Sequence, residues 1–272
     1  MRLAVVPVND SAPSQAARMF QSARDWYADV SSGRCDLRID MLPAVNVGAL
    51  GRFSTAGGLS PQPPNSRTLL QIALDGCDPP AHARIAACGG RVALWVSGRF
   101  RPHVWSLQGA GFALGGQRWV TKYAILPQSA PLGTVVHELG HLMLGWADGA
   151  ASARAWCLMA QGGHTGDGAH PAPPCAPLQV QAGWRDPVPL TGRMTLQSLS
   201  QQGNPVLTRA LRGRDIMCEF RGTRILVWSP PWARPELLWT RDLEHSAALP
   251  ILGLLSQAFP AHPRKDQAGT LA

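Results

Sequence analysis

The chain has 272 residues, 45% of them hydrophobic and 15% charged, with a formal net charge of +8. That length buries a full core, and the composition is neither disordered nor fibrous. Its arginines stand singly (Arg52, Arg67, Arg84, Arg99, Arg118, Arg154, Arg193, Arg221) with no basic run interleaved with aromatics, so the positive excess marks no nucleic-acid interface, and no apolar run reaches the length of a membrane span.

The first apolar run, residues 3–8, is broken at Asn9-Asp10, too soon for a signal peptide. The cytoplasm is therefore the default location, and free thiols the default for cysteines 35, 77, 88, 157, 175 and 218. In an oxidising compartment Cys77 with Cys88, or Cys157 with Cys175, would close short loops. None has the paired spacing of a structural zinc site.

Residues 3–8 read as a short buried strand, and Ser11 or Ser14 can cap a helix carried by Ala16, Met19, Phe20, Ala23, Trp26, Tyr27 and Val30. Ser31-Ser32-Gly33 ends it. A strand over 35–41, a Gly, Ser and Pro loop over 48–65, a helix over 68–74 stopped by Pro79-Pro80, and a central strand over 92–97 follow. Residues 118–126 have the look of a strand, and two roles compete for it: the edge along which an extended substrate pairs, or an ordinary interior strand. Pro131 then opens a helix, since proline is tolerated in a first turn.

That helix carries the most informative stretch. Residues 134–148 read T-V-V-H-E-L-G-H-L-M-L-G-W-A-D. His137 and His141 are four apart, so on a helix they project from one face, where two imidazoles chelate one tetrahedral ion. Glu138 then lies beside the metal, placed to take a proton from a zinc-bound water and pass it to a leaving amine. Composition alone predicts about 0.003 copies of H-E-x-x-H in such a chain. Val135, Val136, Leu139, Leu142 and Leu144 make the segment apolar, so its polar side chains need partners. The pattern reads as a Zn2+ site.

A hydrolytic zinc takes three protein ligands and keeps one position open. The downstream donors are Asp148, Asp167, Asp186, Asp215 and Glu219, with His164 and His170 in and just beyond the Gly-rich loop 161–169. No glutamate lies between Glu138 and Glu219, which leaves a thermolysin-like arrangement without its third ligand. The metzincin arrangement has a glycine that turns the chain after the second histidine and a ligand three residues further on; Gly145 and Asp148 have that spacing.

At this point the sequence resembles the immune inhibitor A family of secreted bacterial metallopeptidases, a metzincin-like group whose third ligand is an aspartate. Trp26-Tyr27 with Ser31-Ser32-Gly33 is similar to the family's W-Y-x-x-x-S-x-G-x-L motif, and Pro131-Leu132-Gly133-Thr134 leads into H-E-L-G-H. Cys157-Leu158-Met159 resembles the Met-turn, residues 174–184 the P-x-x-L-x-A-x-x-K-x-x-x-G-W segment, and residues 217–221 the later V-E-x-R strand. The resemblance implies zinc held by His137, His141 and Asp148, with Met159 forming a hydrophobic floor under the histidines without binding metal. One spacing departs from the family: Leu142, Met143 and Leu144 stand between His141 and Gly145 where the family has two residues. One added residue rotates a helix by about 100°, so the helix must end early or bulge for Asp148 to reach the metal. His164, in G-G-H-T-G-D-G, is a candidate donor to the oxyanion of a tetrahedral intermediate, because no tyrosine follows Tyr123; a solvent-exposed loop histidine is the plainer alternative.

Past residue 184 the pattern becomes short strand-like runs at 195–199, 206–211, 215–220 and 224–228, then an apolar packing helix over 249–259. The expected architecture is α+β with an α/β-like N-terminal part. Residues 1–184 would form a metzincin-like zinc peptidase domain with a mixed twisted sheet, an active-site helix and a Met-turn; residues 185–260 a β-rich appendage packed on it, since no Gly/Ser or charged linker intervenes; and residues 261–272 a flexible tail. The expected function is zinc-dependent endopeptidase action on protein or peptide substrates, with Glu138 as general base. The alternative is a catalytically inactive metzincin-fold binding module with weak or absent zinc.

Overall fold

The structure is a computed structural model. It describes residues 1–9, 12–50, 65–97, 100–106, 112–114, 117–120, 122–190, 205–211, 214–230, 234–243 and 254–255. The expected strand at 195–199 and the tail at 261–272 lie outside the described residues, as do most of the loop at 48–65 and of the helix at 249–259.

In chain order the first half contains β1 (Arg2–Val8), α1 (Pro13–Val30), β2 (Arg38–Met41), α2 (Asn65–Asp75), α3 (Pro79–Ala87), β3 (Arg91–Val96), β4 (His103–Ser106), β5 (Phe112–Leu114), β6 (Gln117–Val120) and β7 (Lys122–Pro127). Among the described residues, five of these strands form one mixed sheet in the order β2-β1-β3-β7-β4. The first four run parallel, and β4 pairs antiparallel with β7. Strands of a parallel sheet covered on both faces are apolar at nearly every position, and β1, β3 and β7 are. Their alternation divides the core in two. Leu3, Val5, Ala93, Trp95, Ala124 and Leu126 pack with Phe20, Ala23 and Tyr27 of α1, whereas Val6, Val92, Leu94, Tyr123 and Ile125 pack with Leu69, Leu70, Leu74 and Ile85 of α2 and α3.

Four expectations about these elements are corrected. Pro79-Pro80 opens a helix rather than only stopping one, because the Asp78 carboxylate accepts from the Ala81 N–H at 2.8 Å and prolines in a first turn need no N–H partner. The strand expected over 118–126 is two strands: β6, which pairs with β5 in a hairpin, and β7, which lies between β3 and β4. Interior β7 has no free edge. Among the described residues the outer edges of this sheet are those of β2 and β4. The strand expected from residue 35 begins at Arg38, and α1 begins at Pro13 without a side-chain cap.

The second half begins with α4 (Leu132–Leu139), whose Val135, Val136 and Leu139 cover the same sheet face as α1. A π-helical turn (Gly140–Leu144), two 3-10 segments (Ala151–Trp156 and Gly162–Gly168) and α5 (Ala176–Gln181) follow. Then come β8 (Pro187–Pro189), β9 (Val206–Leu211), β10 (Arg214–Arg221), β11 (Arg224–Ser229) and β12 (Glu236–Asp242), in the sheet order β12-β11-β10-β9-β8. Alternation again assigns the faces. Leu207, Ile216, Cys218, Ile225 and Val227 pack with Leu254 and Leu255, while Met217, Leu226 and Trp228 join the core that holds α1 and α4.

A buried ion pair marks the place where this second sheet meets the first half. Glu219 of β10 accepts from the Ala176 N–H at 3.1 Å, from Trp228 Nε1 at 2.7 Å and from Arg221 Nε at 2.7 Å. Arg221 also donates to the carbonyls of Trp156 and Pro174. Removing one partner of such a pair leaves an uncompensated buried charge, at a cost of about 3–5 kcal/mol. Glu219→Ala is therefore expected to lose about 3 kcal/mol or more of unfolding free energy in a urea titration. A loss below about 0.5 kcal/mol, the size of an ordinary surface change, would show that the clasp carries no stability.

Candidate metal centre

The segment from Pro131 to Asp148 builds the site. Pro131 precedes α4, and the apolar side of that helix is buried, so His137, Glu138 and His141 come at its far end, where the core gives way to a cleft. Gly133 lets the 162–168 segment press against this helix: a Cβ there would sit 1.8 Å from the Gly163 carbonyl oxygen. That approach brings His164 to the cleft wall.

After Leu139 the helix widens. The Gly145 N–H donates to the Gly140 carbonyl, five residues back, and the Trp146 N–H reaches the same oxygen at 3.3 Å. A π turn is the insertion of one residue into an α-helix, so it absorbs the extra residue between His141 and Gly145. Gly145 then adopts φ +70°, a left-handed conformation that glycine enters without strain. The chain reverses over Trp146 and returns Asp148 to the histidines.

Asp148 Oδ1 lies 3.2 Å from His137 Nε2 and 3.2 Å from His141 Nε2, and the two Nε2 atoms are 3.1 Å apart. Among the described residues this trio is the one group of three His, Cys, Asp or Glu side chains that could hold a metal ion. The opposite ring nitrogens fix the tautomers. His137 Nδ1 faces the Leu158 carbonyl at 3.0 Å and His141 Nδ1 the Trp146 carbonyl at 2.6 Å. A carbonyl can only accept, so each neutral ring donates from Nδ1 and turns the Nε2 lone pair inward. Two nitrogen lone pairs and a carboxylate oxygen then face one another. Without a cation between them they repel; with one they form the imidazole and carboxylate donor set that suits zinc. The residues fit the metal that the sequence implies. Burial lowers His137 below the usual imidazole range, with His141 adding to the fall and the Leu158 carbonyl and Asp148 opposing it, which favours the ligating neutral form.

Met159 is fully buried. A Cβ on Gly140 would meet its sulfur at 2.8 Å, so the methionine packs against the backbone between the two histidines. Trp146 is also buried, stacking edge-on against Trp184, which stacks in turn on Tyr27. The Tyr27 hydroxyl donates to the Val136 carbonyl at 2.6 Å. Segments distant in sequence thus converge behind the loop that carries Asp148.

The cleft has a volume of about 750 Å³. The metal trio, Glu138 and His164 line one part of it, and Arg101, His103, Val104 and Trp105, on and before the edge strand β4, line another. His164 is exposed; Asp167 and His170 are exposed and do not line the cleft. Glu138 is 8% exposed. Burial pushes its carboxyl up to about 7, the Asp148 charge adding to the rise and the Arg101 guanidinium opposing it.

Sequence reasoning missed Lys122, whose Nζ donates to the His141 carbonyl at 2.5 Å, and missed β4 as the wall of the cleft. For Lys122 the available signal was strand alternation, which sets it on the face of Ala124 and Leu126. For β4 no local signal existed, because edge position depends on which strands pair.

No protein-family model and no curated protein matches this chain. Among solved structures the chain is similar to archaemetzincin from Methanopyrus kandleri, at 14% identity over 68% of this chain and 94% of that one, with a TM-score of 0.40. No helix among the described residues is long and apolar enough to cross a membrane.

The raised Glu138 pKa fixes a sign. A carboxyl whose pKa rises on folding contributes stability in full below its unfolded value and loses it as pH climbs through the folded value. Between an ordinary value near 4.5 and the folded value of about 7, metal-free wild type should lose about 3 kcal/mol relative to Glu138→Gln, measured by urea unfolding in chelator at pH 4.5 and pH 8. Parallel pH profiles for the two proteins would contradict the buried environment described for Glu138.

Proposed function

We propose that this chain is a zinc-dependent endopeptidase of metzincin-like type, with residues 1–184 as its catalytic part and residues 185–260 as a β-rich appendage packed on it. What carries the reading is the convergence of the His137, His141 and Asp148 lone pairs on one point, beside a buried carboxyl in a cleft walled by an edge strand. The motifs shared with immune inhibitor A peptidases support the same class. That finer kinship rests on the sequence motifs alone.

In this reading His137, His141 and Asp148 hold the metal, and each ring is oriented by the carbonyl its Nδ1 donates to. Zinc bound there would lower the pKa of a water and polarise a peptide carbonyl. Glu138 accepts the proton that the attacking water gives up and delivers it to the amine nitrogen as the C–N bond breaks, so one carboxyl serves as base and then as acid. Its burial, which favours the protonated form, makes it a stronger base than an exposed glutamate. His164, on the cleft wall, donates to the carbonyl oxygen as negative charge grows there. The outer edge of β4, unpaired among the described residues, offers main-chain donors and acceptors to an extended peptide, and alternate side chains of that peptide face the cleft.

Glu138 and Asp148 should fail in different ways. Glu138→Ala is expected to keep about one zinc per chain after dialysis while turnover on a peptide substrate falls by about 10²–10⁴. Asp148→Ala should weaken zinc retention itself, so that residual hydrolysis depends on added metal. Wild type that holds zinc stoichiometrically yet cleaves no peptide would favour the non-catalytic binding module. An Asp148→Ala protein that retains its zinc and its activity would remove Asp148 from the ligand set.

A further inference from the structure

The turn that returns Asp148 to the histidines leaves the His141 carbonyl without its ordinary donor. In a continuous α-helix the His141 carbonyl would accept from the Gly145 N–H, and in a continuing π-helix from the Trp146 N–H. Both of those N–H groups go instead to the Gly140 carbonyl. Lys122 makes up the loss, its Nζ donating to the His141 oxygen at 2.5 Å.

The position of this lysine is set by the sheet. It is the first residue of β7, half-buried, on the face that Ala124 and Leu126 turn toward α1 and α4. Its cross-strand neighbours by register are Arg91 on β3 and Ser106 on β4. One is a second cation and neither is an acid, so among the described residues no cross-strand ion pair explains an ammonium here. The His141 carbonyl is its one hydrogen-bond partner among the described residues. Carbonyls in a helix's last turn carry partial negative charge and attract cations, and a charged donor makes the stronger bond.

We propose that Lys122 is a positioning residue for the metal centre, holding the His141 carbonyl so that the π turn is kept and Asp148 meets the two histidines. The inference rests on the zinc reading above. With an apolar side chain at 122 the His141 carbonyl is left unsatisfied at the base of the cleft. The chain recovers a bond by winding the turn back to α, Gly145 N–H to His141 oxygen, which carries Asp148 round by the angle of one residue. The same carbonyl belongs to a residue whose ring donates to the Trp146 carbonyl, so Lys122 acts on both the second histidine and the loop beyond it. Outer partners of this kind alter metal affinity by about 10–100-fold when removed.

The test compares wild type, Lys122→Met and Lys122→Arg by zinc affinity in competition with a chromophoric chelator, and by the visible absorption of the Co2+-substituted proteins. Circular dichroism and thermal unfolding report the fold of each. A folded Lys122→Met should bind zinc about 10–100-fold more weakly and show an altered Co2+ spectrum, while Lys122→Arg, which keeps a charged donor, stays within about threefold of wild type with its spectrum restored. Should Lys122→Met fail to fold, Lys122→Gln, whose shorter amide ends short of the carbonyl, takes its place with the same expectation. Wild-type affinity and spectrum in the Met or Gln variant would overturn the proposal while leaving the zinc reading standing, and so would equal losses in Met and Arg. Wild type that binds no metal overturns both.

Discussion

Three residues rather than two separate His141 from Gly145, and the whole site depends on how the backbone accommodates the third. In an unbroken α-helix the added residue would carry Asp148 about 100° away from the face that bears the histidines. A π turn converts the insertion into a wider ring with its own hydrogen bonds to the Gly140 carbonyl, and Asp148 arrives 3.2 Å from both imidazoles. π turns are costly in isolation and occur as single turns at functional sites. Here the cost is offset by bonds from outside the helix: Lys122 to the His141 carbonyl, His141 Nδ1 to the Trp146 carbonyl, and the Trp146 ring against Trp184.

The same logic extends outward. Leu158 orients His137 through its carbonyl, and Met159 beside it fills the space under Gly140. That short segment is fixed on its far side by the second sheet, since Arg221 donates to the Trp156 and Pro174 carbonyls and Glu219 accepts from the Ala176 N–H. The β-rich part therefore touches the backbone that flanks the histidine floor. Fully satisfied buried polar groups of this kind rigidify what they join, and a metal centre made of side chains from one turn and one loop gains from a rigid surround.

Much of this was legible in the sequence where local patterning decides. The strands at 206–211, 215–220 and 224–228 alternate cleanly and lie within β9, β10 and β11. The histidine pair could be placed on one helix face by spacing alone, and the need for either an early helix end or a bulge before Gly145 followed from counting residues. What escaped is what pairing and partners decide. Nothing in Arg118 to Leu126 says that its second half lies inside a sheet while His103 to Ser106 forms the edge; Pro79-Pro80 reads as a stop until Asp78 is seen to cap the helix it starts. Lys122 falls in the middle of the strand expected over 118–126, where nothing local singles it out, and its role appears only with the carbonyl that the π turn leaves free. His164, a candidate from a Gly-rich loop, does reach the cleft, by way of an approach between Gly133 and Gly163 that side chains would forbid.

The claim on which the rest stands is that one metal ion is held jointly by two histidines of a helix and an aspartate returned by the π turn. Diffraction from crystals of the zinc-loaded protein, collected on both sides of the zinc absorption edge, tests it most directly. The account predicts a single anomalous peak per chain within bonding distance, about 2.0–2.2 Å, of His137 Nε2, His141 Nε2 and an Asp148 carboxylate oxygen, with Gly140 to Leu144 in the π conformation. A peak held by the histidines with Asp148 turned away, or an α-helical turn at Gly140 to Leu144 beside bound zinc, would contradict it.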